Sequence, residues 1–258
     1  MNKYVIQKRK IQYYLLNFFA LFIPRFFYRV QLNQQLKKAN QYKLEDLSSR
    51  INYYNRIEKP FRLEEDALNL KALFYDQFKK FNGKIFKKEK IKKRTTYFFD
   101  LYNYLSYFPS FFRVRYKFGD ITEEFTSPTI VKSRPINGNQ NSVIMKLNQV
   151  RHFYFIEDRK KFIEKKNMAV WRGNSKNSSA RLDFIKKYHN VPIFDIGQHN
   201  PKTNDPWFKG YLPIREQLNY KFIFCIEGAD TATNIKWVMS SNSLCVMPKP
   251  KYETWFME

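Results

Sequence analysis

The chain has 258 residues, 43% of them hydrophobic and 19% aromatic, which is enough apolar material for one large or two modest domains and excludes a wholly disordered chain. Its formal net charge of +24 suits an anionic partner, whether a membrane surface, a phosphorylated glycolipid or a nucleic acid. The excess is graded: residues 1–50 carry 10 Lys/Arg against 2 Asp/Glu, whereas the last 58 residues carry 7 against 6.

The stretch from Ile11 to Pro24 within IQYYLLNFFALFIPRFFYRV is uncharged. It falls short of the roughly 20 apolar residues that span a bilayer. Arg25 and Arg29 interrupt it, and Pro24 predicts the end or a kink of a helix. Lys8, Arg9 and Lys10 precede it as in a signal peptide, but no small-residue cleavage site follows. Two readings stand side by side: an interfacial segment with its cations at lipid headgroups, or a helix packed on the protein's own core.

Residues 33–80 read as helical, LEEDALNLKALFYDQFKKF having apolar positions at helical spacing and acidic residues in its first turn. Residues 82–94, NGKIFKKEKIKKR, form a basic run: a solvated turn and helix face, or a phosphate or headgroup contact. TTYFFDLYNYLSYF predicts an aromatic helix ending near Pro109, and FFRVRYKF (111–118) a half-exposed strand stopping at Gly119-Asp120. SPTIVKSRPI (127–136) predicts another strand with Lys132 and Arg134 at its end, before a turn at Asn137-Gly138.

The second half alternates strand and helix. Strands are expected over 167–171, 191–197 and 221–228 and in SLCVMPKP, with helices over 180–189, in LPIREQLNY and in IKWVMSSN. Such alternation implies a parallel sheet with ligands at the carboxyl ends of its strands. Cys225 and Cys245 sit in apolar runs and read as buried strand residues in a reducing compartment. With three isolated histidines they give no zinc-ligand spacing.

Two loops each leave a strand and open a helix. In the first, Gly173 permits close backbone approach, Asn174 and Ser175 offer hydrogen bonds, and Arg172 or Arg181 could fork a diphosphate. In the second, Glu227-Gly228-Ala229-Asp230-Thr231-Ala232-Thr233, Glu227 or Asp230 could accept from ribose or sugar hydroxyls. Thr231 and Thr233 would cap the following helix. Taken alone, either loop is more simply read as a plain crossover turn.

The stretch WRGNSKNSSAR, followed by KFIFCIEGADTATNIKWVMSSNSLCVMPKPKYETWFME, resembles the donor-binding half of glycosyl transferase family 90, in its lipopolysaccharide-core branch. FGDIT, VKSRPI and KLNQVRHF extend the resemblance over about residues 95–258. It implies an α/β, GT-B-like fold of two Rossmann-like domains, the C-terminal one truncated. Residues 1–94 would form a helical, basic, membrane-facing region, 95–165 the acceptor side with part of 1–94, and 166–258 the donor-binding domain. It further implies metal-independent, inverting transfer of glucose or galactose from a UDP-sugar to the lipopolysaccharide or lipooligosaccharide core. The enzyme would need no cofactor and would sit in the cytoplasm, peripheral to the inner membrane.

By that resemblance Gly173, Asn174, Ser175 and Arg181 hold the diphosphate, and Glu227, Gly228, Ala229, Thr231, Ala232 and Thr233 face the donor. Asp120 takes the place of the base, with Glu123, Glu124 and Asp100 in reserve. Lys132 and Arg134 could bind acceptor phosphate or donor, or simply face solvent. The alternatives are a family 90 transferase for capsule or protein acceptors, or a basic nucleic-acid-binding protein. No recognised nucleic-acid motif supports the last.

Overall fold

A computed structural model of the chain describes residues 3–64, 67–75, 95–152, 155–176, 178–199 and 205–258. Glu65, Asp66 and the basic run over 82–94 lie outside these residues. The chain forms two compact units: Gln7–Arg151 with Thr254–Phe256 and Glu258, and Met1–Ile6 with His152–Glu253 and Met257.

In the N-terminal unit, α1 (Lys3–Ala20) and α2 (Arg25–Lys37) meet at a tight turn, with Pro24 as the N-cap of α2. Proline ends the first helix and starts the second, having no N–H to donate. α3 is Leu44–Tyr54. The helix expected throughout 33–80 is broken: residues 55–64 are irregular, and β1 (Leu68–Asn69) pairs antiparallel with β2 (Arg113–Val114). Pro60 removes a helix donor from that gap, and Arg56 instead reaches the carbonyl of Ile136 at 3.1 Å.

α4 (Thr95–Leu105) is the centre of this unit. Tyr97, Phe98, Phe99, Leu101 and Tyr102 are buried with Leu70, Leu73, Phe118 and Leu147. The strand expected over 111–118 shrinks to β2, because Phe111 and Phe112 stay exposed and Tyr116 makes only an isolated bridge to Ile130. β3 (Thr129–Val131) and β4 (Ser133–Pro135) flank Lys132, and β5 (Ser142–Ile144) lies parallel to β3. Among the described residues of this unit, β1 with β2 and β3 with β5 form two-stranded sheets.

The C-terminal unit holds the parallel sheet that the alternation predicts. Its strands are β6 (Lys166–Gly173), β7 (Phe194–Gln198), β8 (Tyr220–Phe224) and β9 (Leu244–Val246), in spatial order β7-β6-β8-β9. Every pairing is parallel. The connections run through α5 (Ser179–Tyr188), α6 (Ile214–Gln217) and α7 (Ile235–Met239). Ala169, Val170 and Trp171 in β6 are buried, as an apolar run in a central parallel strand should be. Trp171, Ile185, Ile196 and Ile226 form the core on the α5 side. Cys225 and Cys245 are unbridged, their sulfurs 3.4 Å apart; Cys225 is buried, but Cys245 only partly.

The C-terminal unit also takes in the segment before β6, which side-chain bonds fix to it. Lys165 Nζ donates to Asp158 Oδ2 (2.6 Å), the Leu218 carbonyl (2.7 Å) and Ser243 Oγ (2.8 Å), with both ionic side chains buried. Asn242 adds bonds from its N–H to Asp158 Oδ2 and from its amide to the carbonyls of Asp158 and Lys160. The segment before β6 is thus tied to the starts of β8 and β9.

Candidate functional site

β6 comes first in the chain, yet it sits inside the sheet, with β7 on one side and β8 on the other. The chain therefore reverses its direction of travel across the sheet between β6 and β8. In open α/β sheets the carboxyl ends of the two strands flanking such a reversal splay their loops apart and leave a crevice for ligand. Both glycine-bearing loops singled out from the sequence leave these two strands: the first starts from Arg172 and Gly173 at the end of β6, and residues 227–234 follow β8.

Arg181, in the first turn of α5, joins them. Its Nη1 donates to the carbonyl of Asn174 at 3.1 Å, while Nε and Nη2 donate to the carbonyl of Ile226 at 3.2 and 2.9 Å. The guanidinium carbon also lies 6.0 Å from the centre of the Trp171 ring. Gly228 is small for a local reason: a Cβ there would come within 3.0 Å of Arg181 Cζ and Nη2. Ser178, the N-cap of α5, makes a second link, accepting from Arg181 N and donating to the Glu227 carbonyl, both at 3.3 Å. Arg181 and Gly228 thus lie side by side, with Arg181 bonded to both loops.

The other predicted residues divide. Gly173 packs on the Trp171 ring, where a Cβ would approach Cζ2 to 2.3 Å. Asn174 Oδ1 accepts from Lys176 N at 2.8 Å, and Ser175 Oγ bonds Gln198 Oε1. Ala229 is exposed at the loop tip, whereas Asp230, Thr231 and Ala232 are buried. The N-cap of α7 is Asn234, so Thr231 and Thr233 do not cap it; the carbonyl of Thr233 accepts from Lys236 Nζ instead.

Three expectations are corrected by where side chains point. Arg172 is no free phosphate fork: Nη2 is 2.7 Å from Asp195 Oδ1 and Nη1 2.7 Å from the Asp195 carbonyl. Burial alone would raise the Asp195 pKa, but hydrogen bonds from Tyr220, Arg172 and Lys209 overcome it and hold the carboxyl at about 2. Glu227 accepts from the backbone N–H of Lys251 (3.1 Å) and Tyr252 (3.2 Å), so its carboxylate braces the loop; burial raises its pKa. Lys132 and Arg134 are not at the surface but 2% and 0% exposed. Arg134 donates to the carbonyls of Ser142 and Tyr53.

Lys132 Nζ lies 3.2 Å from Asp120 Oδ1, and the Asp120 side chain is half-exposed at the head of the loop after Gly119. An exposed carboxylate steadied from below by a buried cation can meet a substrate hydroxyl. Of the reserves, Asp100 is buried and internally bonded, Glu123 pairs with Lys117 at 3.0 Å, and Glu124 lies against Gly138. Sequence reasoning passed over Asp195, Ser178 and Lys236. Lys236 is buried, its Nζ 2.9 Å from His152 Nδ1. The usable signals were a carboxylate inside the apolar run PIFDIG and a lysine inside IKWVM.

The profile of glycosyl transferase family 90 matches residues 142–258, which include both loops, Arg181 and the whole parallel sheet. A relative from Dichelobacter nodosus, described as "O-glucosyltransferase LpsA", is 40% identical over 214 residues. That alignment covers 82% of this chain, and the chain spans 62% of the relative's length.

Proposed function

Since the chain belongs to glycosyl transferase family 90, we propose that it is an inverting hexosyltransferase that moves glucose or galactose from a UDP-sugar to a lipopolysaccharide or lipooligosaccharide core. The single observation carrying the proposal is the pair of glycine-bearing loops at the sheet's reversal point, held together by Arg181. The name of the relative, an O-glucosyltransferase, supports a glucosyl donor. The proposal includes the two-domain GT-B-like architecture that the family implies, with residues 166–258 as the donor side. It also includes a place in the cytoplasm at the inner membrane, where a lipid-linked acceptor would be met.

In this reading the diphosphate sits against the Gly173 and Gly228 bends, and the Arg181 guanidinium offsets its charge. The acceptor hydroxyl oxygen attacks the anomeric carbon while Asp120 takes its proton. The bond from that carbon to the diphosphate oxygen breaks on the opposite face, and UDP leaves with the electron pair, so the configuration inverts. Charge developing on the leaving diphosphate meets fixed dipoles and Arg181 rather than a metal. Asp120 contributes a base whose position Lys132 fixes from beneath.

Calorimetry with UDP tests the donor half, and mass spectrometry of truncated lipopolysaccharide incubated with UDP-glucose or UDP-galactose tests transfer. UDP binding that Arg181→Ala weakens about tenfold or more is expected, together with one added hexose. Asp120→Asn should keep the UDP affinity and lose transfer. A protein that is folded by circular dichroism but does not bind UDP would overturn the donor site; undiminished transfer by Asp120→Asn would overturn the base.

A further inference from the structure

The hairpin of α1 and α2 is built inside out. The positions turned toward the protein are Tyr13, Asn17, Leu21, Arg25 and Tyr28, about one helical turn apart, and four of the five carry polar groups. They are used: Tyr13 Oη lies 2.8 Å from Asp100 Oδ1, Asn103 Nδ2 donates to Asn17 Oδ1 at 2.6 Å, and Arg25 Nη2 donates to the Phe108 carbonyl at 2.7 Å. Tyr28 meets Tyr107 edge to face. The opposite face carries Leu15, Phe19, Phe22, Ile23, Phe26 and Phe27, between 45% and 70% exposed. A helix in water presents the reverse pattern.

Arg25, which interrupts the apolar run in the sequence, faces inward, so the outer face is apolar across the turn. Cations flank that face along α1 and α2, and neither helix carries a carboxylate. Lys8, Arg9, Lys10 and Arg29 are exposed, and the first acidic residue of the chain is Glu45. An aromatic wedge bordered by cations matches one occupant, the interface of a bilayer carrying anionic headgroups. Among the described residues no helix is long and apolar enough to cross a membrane.

We propose that the α1–α2 hairpin docks this protein on anionic lipid, with the Phe18–Phe27 tip inserted among the acyl chains and the flanking Lys and Arg at phosphate level. The inference gives the lipid-linked acceptor of the proposed function a physical setting, but its test needs neither donor nor turnover, so either reading can fail alone.

The chain is sedimented with vesicles of phosphatidylcholine alone and of phosphatidylcholine mixed with phosphatidylglycerol. Binding to the mixed vesicles is expected to exceed binding to the neutral ones. Phe22→Ser with Phe26→Ser should lower it about tenfold or more, and replacing Lys8, Arg9 and Lys10 by Gln about as much, the second loss being mimicked by salt. Because Phe22 and Phe26 are the two most exposed of these rings, at 70% and 69%, the variants should keep the parent's far-ultraviolet dichroism. Failure to sediment with the mixed vesicles at low salt overturns the proposal. So does binding that the phenylalanine changes leave intact, which would be purely electrostatic. A dimer by light scattering that the same two changes dissociate, with no vesicle binding, would assign the face to a second copy of the chain.

Discussion

Replacing Asp100 by Asn should make the protein more stable at neutral pH and leave it unchanged in acid. Asp100 is 2% exposed, and burial, the largest cause, lifts its pKa from 3.8 to about 6 against the hydrogen bonds from Gln149, Tyr13 and Asn148. Geometry adds a reason. Tyr13 has one hydroxyl proton but two acceptors, Asp100 Oδ1 at 2.8 Å and the Thr96 carbonyl at 3.0 Å. A protonated Asp100 can donate to Tyr13 Oη, which frees the tyrosine proton for Thr96, while the other carboxyl oxygen accepts from Gln149 N at 2.8 Å. Asparagine reproduces that pattern at every pH, with Nδ2 as donor and Oδ1 as acceptor.

For an acid whose folded pKa is raised, the stability it contributes is complete below pH 4 and is lost as pH rises through about 6. At about 1.4 kcal/mol per tenfold change, the loss reaches about 3 kcal/mol by pH 7.5. Urea unfolding of the parent and of Asp100→Asn between pH 4 and 8 reads it directly. The two curves should meet near pH 4 and diverge to about 3 kcal/mol, the variant above. Parallel curves would mean that the carboxyl titrates alike in folded and unfolded chains, and the argument would be wrong.

Lys165→Met should cost about 3–5 kcal/mol in the same assay, since it strands the buried Asp158 carboxylate; adding Asp158→Leu should recover part of that loss. Gly173→Ala drives a methyl into the Trp171 ring and should destabilise the C-terminal unit by about 1–3 kcal/mol, read by tryptophan fluorescence. Gly228→Ala presses on an Arg181 guanidinium that three carbonyl bonds hold in place. It should weaken UDP binding in calorimetry while stability moves by less than about 1 kcal/mol.

The parallel sheet was legible because its signal is long: apolar runs such as AVW and FIF alternate with helical stretches, and helical crossovers join parallel strands. The two loops were legible because glycine and small polar residues mark a strand-to-helix corner. What the letters could not carry was the direction of a side chain. Arg172 and Glu227 look like ligands for phosphate and sugar until Asp195 and the Lys251–Tyr252 backbone take them. Lys132 and Arg134 look like strand-end surface charges because nothing nearby in sequence announces Asp120, Ser142 or Tyr53 as their partners. The hairpin failed differently. Residues 11–30 are apolar nearly all round, so periodicity could not tell which face is docked, and Asp100 and Asn103, about 85 positions away, decide it.

Lys165, Leu218 and Ser243 meet where the strands begin, whereas Arg181, Gly173 and Gly228 gather where the strands finish. The buried ionic clasp and the two glycine bends therefore occupy opposite rims of one sheet. Ala229 is exposed at the tip of its bend, so the residue there can vary while the base of the sheet stays pinned.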